Sequence, residues 1–443
     1  MKSYVALAEK ALFKSRYGKW YLINTKHPDE RILVEDYNTV QVLLRLFQGV
    51  SVREAEYLFG LRSDELITFL NALMEEKVIA SFDEPRNSLN RCFKTEPPLD
   101  SVNILITNEC NLNCVHCCYG SGKKITGELS GKEWISVLEQ VRQLGCFGLN
   151  VSGGEPLLHK DFSDIAEYIS TVTTFCANLN TNGTQLCDDV EKLLAGAFNS
   201  VQVSIDSSLS SEHDSFRGSK GCFQKTVRSV EKLIAAGIKT NVAFTITKRN
   251  LGSLTGVVEL CESMGVNTLN IGLVSDVGRA RKNRLVDKID EETLGKDLFL
   301  SQVHRMLKHL IAHQTRLRIL TPFRLDNSQA DFAEEKQYVC DGDNNQILYI
   351  MADGTIMPCD KLPVNAFACG NVRVDSVTEA WMSKKMQAFK LMGPRQLPKC
   401  QNCSLLNICG GACLARSFHA GGSLISVDWT SCAMARMFVQ ERQ

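Results

Sequence analysis

The sequence of 443 residues has no excess of charge of either sign, because Lys plus Arg and Asp plus Glu both number 50. A balanced chain has no overall field that would attract nucleic acid or an anionic membrane. It also has no apolar run long enough to cross a membrane, and charges interrupt its start too often for a secretory signal. Internal repeats and low-complexity tracts are absent as well. We therefore expect a folded, cytoplasmic protein with no nucleic-acid or membrane partner.

Cysteine is the residue type that the chain has in abundance, with 18 in all. Four of them fall within ECNLNCVHCC, at positions 109–118. Without a secretion signal, these thiols should stay reduced rather than pair as disulfides. Dense clusters of reduced cysteines indicate metal or redox chemistry.

The chain divides into four parts by sequence pattern. Residues 1–85 begin with the strand-like runs WYLINT and RILVEDY and continue with three amphipathic helical segments, which is typical of a small winged-helix-like domain. Residues 86–100 are polar and contain proline, which predicts a linker. Residues 101–314 alternate strands and helices, and residues 315–443 are rich in cysteine and poor in periodicity. We expect the last part to be held together by its ligands.

The third part repeats strand, loop and helix six times. The strand candidates are SVNILIT, GLNVSG, ANLNTNG, SVQVSID, TNVAFTIT and TLNIGLV. This rhythm predicts an α/β fold with a parallel sheet and helices outside it, either doubly wound or a partial (β/α)6 barrel. In both architectures the chemistry gathers at the carboxyl ends of the strands.

Three cysteines directly follow the first of these strands in the spacing C-x3-C-x2-C, namely Cys110, Cys114 and Cys117. Zinc and four-iron clusters usually take four protein ligands. Three ligands at the end of a strand would leave one metal corner open, as in a catalytic cluster. A buried cysteine-rich turn without a metal is the alternative interpretation.

The motif resembles that of the radical S-adenosylmethionine (SAM) enzymes, C-x3-C-x-aromatic-C, with His116 in the aromatic position. The resemblance implies that the three cysteines ligate a [4Fe-4S] cluster whose open iron chelates SAM. It also implies that the reduced cluster cleaves SAM to a 5′-deoxyadenosyl radical. Cys118 is then a spare thiol that packs, and His116 shields the cluster rather than ligating it.

The loop after the second strand, SGGEP, resembles the GGEP motif of the same family. Gly153 and Gly154 would let the backbone approach SAM, and Glu155 would offer its carboxylate to the SAM ammonium group. Alone, such a sequence could be a mere turn. Its position one strand after the cysteine loop makes it evidence for SAM binding.

Two later segments resemble further SAM contacts of the family. Ser204 and Asp206, in SID at the end of the fourth strand, match residues that hydrogen-bond the ribose. Arg217, in FRG, matches a residue that binds the SAM carboxylate, which suits a guanidinium fork. A helix cap is the structural alternative for Ser204 and Asp206.

The C-terminal cysteines resemble the SPASM extension of peptide-modifying radical SAM enzymes, which holds two auxiliary [4Fe-4S] clusters and would raise the total to three. The family's interleaved pattern implies that the second auxiliary cluster is ligated by Cys400, Cys403, Cys409 and Cys432. It implies that the first is ligated by Cys340, Cys359 and Cys413. A zinc ribbon would explain CQNC alone, but not seven cysteines in this order.

Seven thiolates cannot fill the eight corners of two clusters, and no cysteine lies between Cys261 and Cys340. We therefore expect an open iron on the first auxiliary cluster or an unusual ligand such as Cys369, for which packing is the simpler role. Asp360, in MPCDK, occupies the position of the base in anaerobic sulfatase-maturing enzymes. It would deprotonate a substrate group, unless it only orders its loop.

The N-terminal part resembles the PqqD-like recognition element of pathways that modify ribosomally made peptides. Such an element captures the leader of a precursor peptide as an added strand at the edge of its sheet. Residues 1–85 contain 11 Lys and Arg against 13 Asp and Glu, which argues against a phosphate-binding winged helix. An inert dimerisation or packing domain is the alternative.

Together with SIDSSLSSEHDSFRGSKGCF and DVGRARK, the layout resembles peptide thioether synthases of the sactisynthase kind. The implied reaction is leader docking, hydrogen abstraction from a core-peptide carbon and bond formation to a cysteine sulfur. An external donor such as flavodoxin or ferredoxin would supply electrons. The rival outcomes are carbon–carbon cross-linking, epimerisation and formylglycine formation in a sulfatase. A non-catalytic iron–sulfur electron carrier or binding protein is a rival of another class.

Overall fold

The structure is a computed structural model that describes residues 2–16, 19–28, 30–94, 97–287, 289–293, 297–312, 317–321, 346–390, 392, 397–409 and 413–440. Cys340, a predicted ligand of the first auxiliary cluster, lies outside these residues. Within the described ranges, all cysteines are free thiols. No helix there combines the length and the hydropathy that a membrane span requires.

The N-terminal part folds into two small sheets and three helices. Its elements are β1 (Tyr4–Leu7), β2 (Ala11–Arg16), β3 (Lys19–Asn24), β4 (Arg31–Val34), α1 (Tyr37–Phe47), α2 (Val52–Phe59), α3 (Ser63–Glu75), β5 (Ile79–Phe82) and β6 (Cys92–Phe93). One sheet has the strand order β4-β3-β2-β6, and in the other β1 pairs with β5. In the described part of the chain, β4 therefore has one edge without a strand partner.

The helices of this domain form because each presents an apolar face to a common core. In α1, Val40, Leu43 and Phe47 follow helical spacing and are buried in that core. Ser51 caps α2, as its position predicts, since its hydroxyl accepts a hydrogen bond from Glu54 N at 3.1 Å. Ser63 is instead the first residue of α3 and makes no such cap.

The central part is a sheet of parallel strands with helices on one side. Its elements are β7 (Ser101–Leu105), α4 (Gly131–Gln143), β8 (Gly148–Ser152), α5 (Phe162–Thr171), β9 (Cys176–Thr181), α6 (Asp188–Ala197), β10 (Ser200–Ser204), α7 (Ser210–Arg217), α8 (Cys222–Ala235), β11 (Thr240–Ile246), α9 (Leu254–Met264), β12 (Thr268–Leu273), α10 (Gly278–Lys282), α11 (Leu298–Ala312) and β13 (Arg318–Leu320). All six predicted strands are present and lie side by side in chain order, β7 to β12.

The C-terminal part extends the same sheet. Its elements are β14 (Ile347–Ile350), β15 (Thr355–Met357), α12 (Val364–Phe367), β16 (Gly370–Asn371), α13 (Val377–Met382), α14 (Lys384–Lys390), α15 (Leu406–Cys409), α16 (Leu414–Gly421) and α17 (Trp429–Gln440). β14 pairs in parallel with β7, and β15 and β16 continue the sheet in antiparallel fashion. The resulting order is β13-β12-β11-β10-β9-β8-β7-β14-β15-β16.

This sheet does not close on itself, because β13 and β16 do not pair within the described residues. The partial (β/α)6 barrel is therefore confirmed, and the doubly wound alternative is not. Along each strand, fully buried residues such as Val102 and Ile104 alternate with partly exposed ones such as Asn103. The buried set packs under the helices and forms the main core. The partly exposed set lines the concave face.

The segment predicted as a linker is packed against both neighbouring parts. Lys14 of β2 is fully buried and lies 3.0 Å from a carboxylate oxygen of Asp100. Its ammonium also donates to the carbonyl oxygens of Leu99 (2.6 Å) and Gly145 (2.9 Å). Arg16 binds the other oxygen of Asp100 at 2.9 Å. The N-terminal domain is therefore joined to the amino ends of the barrel strands by buried charges.

Candidate functional site

The loop after β7 brings the three cysteines of the first motif together. Cys110, Cys114 and Cys117 pack around one small apolar cluster with Leu112 and Cys222. Cys114 is only 7% exposed. This grouping lies at the carboxyl ends of the strands, where the sequence predicts the chemistry. Cys118 does not belong to this cluster.

The cysteine loop is held by the backbone of the chain that follows β10. Asn113 N donates to Arg217 O at 3.1 Å, and Val115 N donates to Phe216 O at 3.0 Å. Gly218 ends α7 in the left-handed region, and a Cβ there would lie 2.6 Å from Asn113 O. The FRG motif therefore needs its glycine to approach the cysteine loop.

The buried thiols fit a metal cluster better than they fit a neutral core. Burial raises the pKa of Cys110 to about 11 and also raises the pKa of Cys114. At neutral pH they would stay protonated unless a nearby positive charge stabilised the thiolates, which bound iron provides. No three described His, Cys, Asp or Glu side chains converge closely enough to hold a single metal ion. The assignment of these three cysteines to a four-iron cluster stays a prediction.

The two glycines of SGGEP are needed where this loop contacts the cysteine loop. A Cβ on Gly153 would lie 2.5 Å from Thr107 O, and a Cβ on Gly154 would lie 2.2 Å from Glu109 O. Gly154 N also donates to Thr107 O at 2.7 Å. Both glycines thus bring the second loop against the start of the first.

Glu155 is fully buried and binds the end of the neighbouring strand. One carboxylate oxygen accepts hydrogen bonds from the Thr181 hydroxyl (2.8 Å) and Leu157 N (3.2 Å), and the other accepts from Asn182 N (2.7 Å). Burial raises the pKa of Glu155 to about 7, in spite of these donors. A cation placed beside it would favour its ionised form. The contact with the SAM ammonium group stays a prediction.

Asp206 and Arg217, which sequence reasoning assigns to separate groups of SAM, form a buried ion pair with each other at 2.5 Å. Asp206 also accepts a hydrogen bond from Thr245 N at 3.0 Å. Burial alone would raise the pKa of Asp206, but the guanidinium beside it holds that pKa below its ordinary value. A second guanidinium nitrogen of Arg217 donates to the Cys114 sulfur at 3.7 Å.

The remaining predicted neighbours of SAM occupy the same region. The Nε of Arg217 is buried and has no partner in the described chain, so it is available to an anionic ligand. Ser204 is the last, partly exposed residue of β10. The N-cap residue of α7 is Leu209, so neither Ser204 nor Asp206 caps this helix. The helix-cap interpretation of these two residues is therefore wrong. His116 stacks on Phe216 with ring centroids 4.6 Å apart.

The described C-terminal cysteines lie in one region, where Cys359, Cys400 and Cys413 pack in the same apolar cluster. Cys359 and Cys413 lie within electrostatic range of each other. Cys432, on α17, lies within electrostatic range of Cys409, Cys400 and Cys403. Burial raises the pKa of Cys432 to about 12. The ligand roles of these residues stay predictions.

Cys369 lies elsewhere. Its thiol donates to Phe367 O at 3.4 Å, and its side chain packs against the main core of the barrel. Cys359 and Cys413 pack instead in a separate apolar cluster of the C-terminal part. This placement favours packing as the role of Cys369.

Asp360 lies beside the cysteine loop of the barrel, although 241 residues separate it from its hydrogen-bond donor, the hydroxyl of Tyr119. The negative charge of Asp360 also acts on the thiol of Cys118 and raises the pKa of Lys361. Sequence reasoning missed Tyr119 and treated Cys118 as a bystander. The only available signal was that Tyr119 follows the last cysteine of the motif by two positions.

Arg279 is a second residue that sequence reasoning left without a role. Its guanidinium donates to Cys114 O at 2.8 Å and to Ser121 O at 2.7 Å, and its backbone N donates to Cys117 O at 2.9 Å. A Cβ on the preceding Gly278 would lie 2.3 Å from Cys118 O. The GRAR segment therefore holds the cysteine loop in place, and its glycine and arginine were the available signal.

Two sequence families match the chain. The Radical SAM superfamily matches residues 104–273, and the SPASM iron-sulfur cluster-binding domain matches residues 340–404. The chain is 31% identical over 337 residues to the AdoMet-dependent heme synthase of Methanosarcina barkeri, which covers 73% of this chain and 93% of that protein. It is also 31% identical over 296 residues to the sporulation killing factor maturation protein SkfB of Bacillus subtilis, 66% of each chain.

Among solved structures, SuiB of Streptococcus suis bound to its precursor peptide SuiA has a similar fold. The TM-score is 0.72 at 17% sequence identity, and the match covers 97% of this chain and 99% of that chain. The match includes all three parts of the present fold, with the N-terminal domain among them.

Proposed function

The chain belongs to the radical SAM superfamily, and we propose that it modifies a ribosomally made precursor peptide by forming a thioether between a cysteine sulfur and a carbon of the same peptide. The two matched families bind SAM and iron–sulfur clusters, so these are the cofactors of this chain. Peptide modification is supported above all by the similarity of the whole chain to a fold that holds a precursor peptide. The maturation protein SkfB supports it among the sequence relatives.

Under this proposal the first motif supplies the radical. Cys110, Cys114 and Cys117 would hold a [4Fe-4S] cluster, and the chemistry it supplies with SAM is one-electron cleavage that yields a radical able to take hydrogen from carbon. Arg217 would orient the SAM carboxylate through its free Nε, and Glu155 would receive the ammonium group. Ser204 and Asp206 would lie at the ribose.

The C-terminal part would accept the electron released when the new bond forms. Cys400, Cys403, Cys409 and Cys432 would hold the second auxiliary cluster. Cys340, Cys359 and Cys413 would hold the first, with one corner open to the substrate thiolate. An external flavodoxin or ferredoxin would reduce the protein.

Asp360 would act as the base for the substrate cysteine. The atoms and electrons of this reaction balance as follows. The carbon would give up one hydrogen atom to the adenosyl radical, and the sulfur would give up its proton to Asp360. One electron would leave as the carbon–sulfur bond forms. The hydrogen bond from Tyr119 fixes the carboxylate between the cysteine loop and Cys359. The peptide product is lighter by two hydrogens.

The N-terminal domain would bind the leader of the precursor. Among the described strands, β4 has a neighbour on one side only, so a leader could add as a strand on its other side. Because buried charges join this domain to the barrel, a leader bound there would keep the core peptide at a fixed distance from the site. This tethering raises the effective concentration of the core peptide.

The proposal is tested with the reconstituted protein, SAM, a reductant and a candidate precursor, namely any short cysteine-bearing peptide encoded next to its gene. We expect 5′-deoxyadenosine and a loss of two hydrogens that fragmentation places between a cysteine and another residue. Cys114→Ala should abolish both. A loss of two hydrogens located between two carbons would indicate a carbon–carbon cross-link. An unchanged mass with an inverted stereocentre would indicate epimerisation, and a formylglycine residue would indicate oxidation of the sulfatase-maturing kind. Each of these results would contradict thioether formation.

A tetrapyrrole substrate is the second candidate, because several relatives, that of Methanosarcina barkeri among them, are named heme synthases. That relative matches only 73% of this chain, whereas the peptide-binding fold matches nearly all of it. Parallel incubation with a porphyrin separates the two. Conversion of the porphyrin with no change in the peptide would decide against a peptide maturase.

A further inference from the structure

The concave face of the barrel sheet is lined by carboxamide side chains. Each of the six central strands contributes at least one, and we call this group the amide belt: Asn103, Asn150, Asn178, Asn180, Gln202, Asn241 and Asn270. All seven are partly exposed and alternate with fully buried residues that face the helices. Side chains two positions apart on a strand share a face, so the belt lies on the open side of the sheet.

Neighbouring carboxamides of the belt are joined by hydrogen bonds. Asn150 Nδ2 donates to Asn103 Oδ1 at 2.7 Å, and Asn178 Nδ2 donates to Asn150 Oδ1 at 3.3 Å. These three residues are also aligned by strand register. Asn270 Nδ2 donates to Gln202 Oε1 farther along the sheet. The belt is therefore ordered before any ligand arrives.

The belt retains unused hydrogen-bonding capacity. A carboxamide has two N–H donors and two acceptor lone pairs, of which these contacts use only some. The amide nitrogen of Asn103 has no partner within the described ranges, and the Oδ1 of Asn241 is buried without one. A filled barrel has bulky branched residues at such positions. An interior lined by amide groups with unused hydrogen-bond donors and acceptors is suited to a polar ligand.

The belt lies between the N-terminal domain and the loops at the carboxyl ends of the strands. A cavity of about 160 Å³ lies at the amino ends of the strands and is lined by Asn150, Asn178 and Arg31, the first residue of β4. In the other direction, β8 ends at Ser152, directly before the SGGEP loop. At about 3.3 Å per residue, Asn150 lies roughly 10 Å from that loop.

We propose that the amide belt binds the backbone of the precursor peptide in an extended conformation, about three to four residues from the residue that is modified. Carboxamides carry the same donor and acceptor groups as peptide bonds and no charge, so they can pair with any extended segment. The belt would hold the peptide whatever its side chains, and the leader would supply the selectivity. This inference rests on the proposed peptide maturation.

The test uses the same candidate precursor peptide, labelled for fluorescence anisotropy, and the reconstituted protein. Asn150→Leu with Asn178→Leu keeps side-chain size and removes two carboxamides. We expect the Kd for the peptide to rise at least tenfold, while SAM cleavage without peptide is unchanged. Asn365→Leu, on the exposed surface of α12, is the matched control and should leave the Kd unchanged.

A second arm changes the peptide instead of the protein, so it does not depend on how the variants fold. N-methylation of backbone amides three to four residues from the modified residue should raise the Kd at least tenfold. Alanine at the same positions should change it less than threefold. The reverse pattern, or tight binding to the leucine variant, would show that the belt is only a cross-strand ladder, and the proposed function would stand. If the unaltered protein cleaves SAM but neither binds nor changes the peptide, both ideas fail together.

Discussion

The guanidinium of Arg217 lies 2.5 Å from the carboxylate of Asp206, and both side chains are buried at the carboxyl ends of the strands. The same guanidinium donates to the sulfur of Cys114. Asp206 therefore orients Arg217, and Arg217 places a positive charge next to a thiolate. If Cys114 ligates the predicted cluster, the charge of Arg217 should influence that cluster as well as the predicted SAM contact.

Arg217→Gln should lower both the stability of the protein and the midpoint potential of the first cluster. Asp206 would be left buried without a counter-charge, which costs about 3–5 kcal/mol in the free energy of unfolding. The reduced cluster would lose a stabilising positive charge, so its potential should become more negative. Denaturant unfolding and a spectroscopic redox titration measure the two effects. Arg217→Lys should restore part of the potential, and the exposed Arg228→Gln should change neither.

Glu155→Gln should change how stability depends on pH in the metal-free protein. The pKa of Glu155 rises from 4.5 to about 7 because the residue is buried. The folded state therefore binds more protons than the unfolded state between these values, and stability falls as pH rises through this window. The loss amounts to at most about 3 kcal/mol and levels off above pH 7. Relative to Glu155→Gln, the unaltered protein should lose stability between pH 5 and 8, as measured by urea unfolding. Parallel pH curves would contradict the raised pKa.

Lys14→Met should loosen the attachment of the N-terminal domain. It leaves Asp100 with only Arg16 as a counter-charge in a buried site. We expect the free energy of unfolding to fall by about 3 kcal/mol. The exposed Lys10→Met serves as the control. Combining Lys14→Met with Asp100→Asn should cost less than the sum of the single changes, because the two residues share one interaction.

Arg279→Ala should weaken the first cluster and spare the auxiliary ones. The substitution removes the hydrogen bonds to Cys114 O and Ser121 O that hold the cysteine loop. We expect iron bound after reconstitution to fall by about one cluster per chain, to the level of a variant with all three loop cysteines changed to Ala. Arg281→Ala, two residues away on an exposed side chain, is the matched control. Full iron content in Arg279→Ala would show that the loop holds its shape without this arginine.

Tyr119→Phe should slow peptide modification without affecting SAM cleavage in the absence of peptide. The change removes the hydrogen bond that orients Asp360 and little else. If Asp360 is the base, turnover should fall on the order of tenfold to a hundredfold. Tyr168→Phe, whose hydroxyl binds Glu139 on the helical layer, should behave like the unaltered protein. Equal turnover in both variants would remove the support that the Tyr119 contact gives to Asp360.

Much of the fold follows from local sequence pattern. The six strands and the helices between them were predicted because apolar alternation and amphipathic spacing are properties of short segments. The cysteine loop was predicted in the same way, since C-x3-C-x2-C and its position after a strand can be read within about fifteen residues. Ser51 is a further example, because a helix cap depends only on the next turn.

The tertiary structure decided the contacts between segments that are distant in the chain. Sequence reasoning gave Asp206 and Arg217 separate roles, and their pairing depends on how α7 packs beside β10. It left Tyr119 and Arg279 without roles, because their partners come from other parts of the chain. It also gave no role to Asp100, because the partners of this carboxylate, Lys14 and Arg16, lie in another part of the chain. Sequence thus determined which chemical groups the protein has and on which strands they lie. Only the folded arrangement decided which charges neutralise each other, because a buried charge takes whichever partner the packing brings within reach.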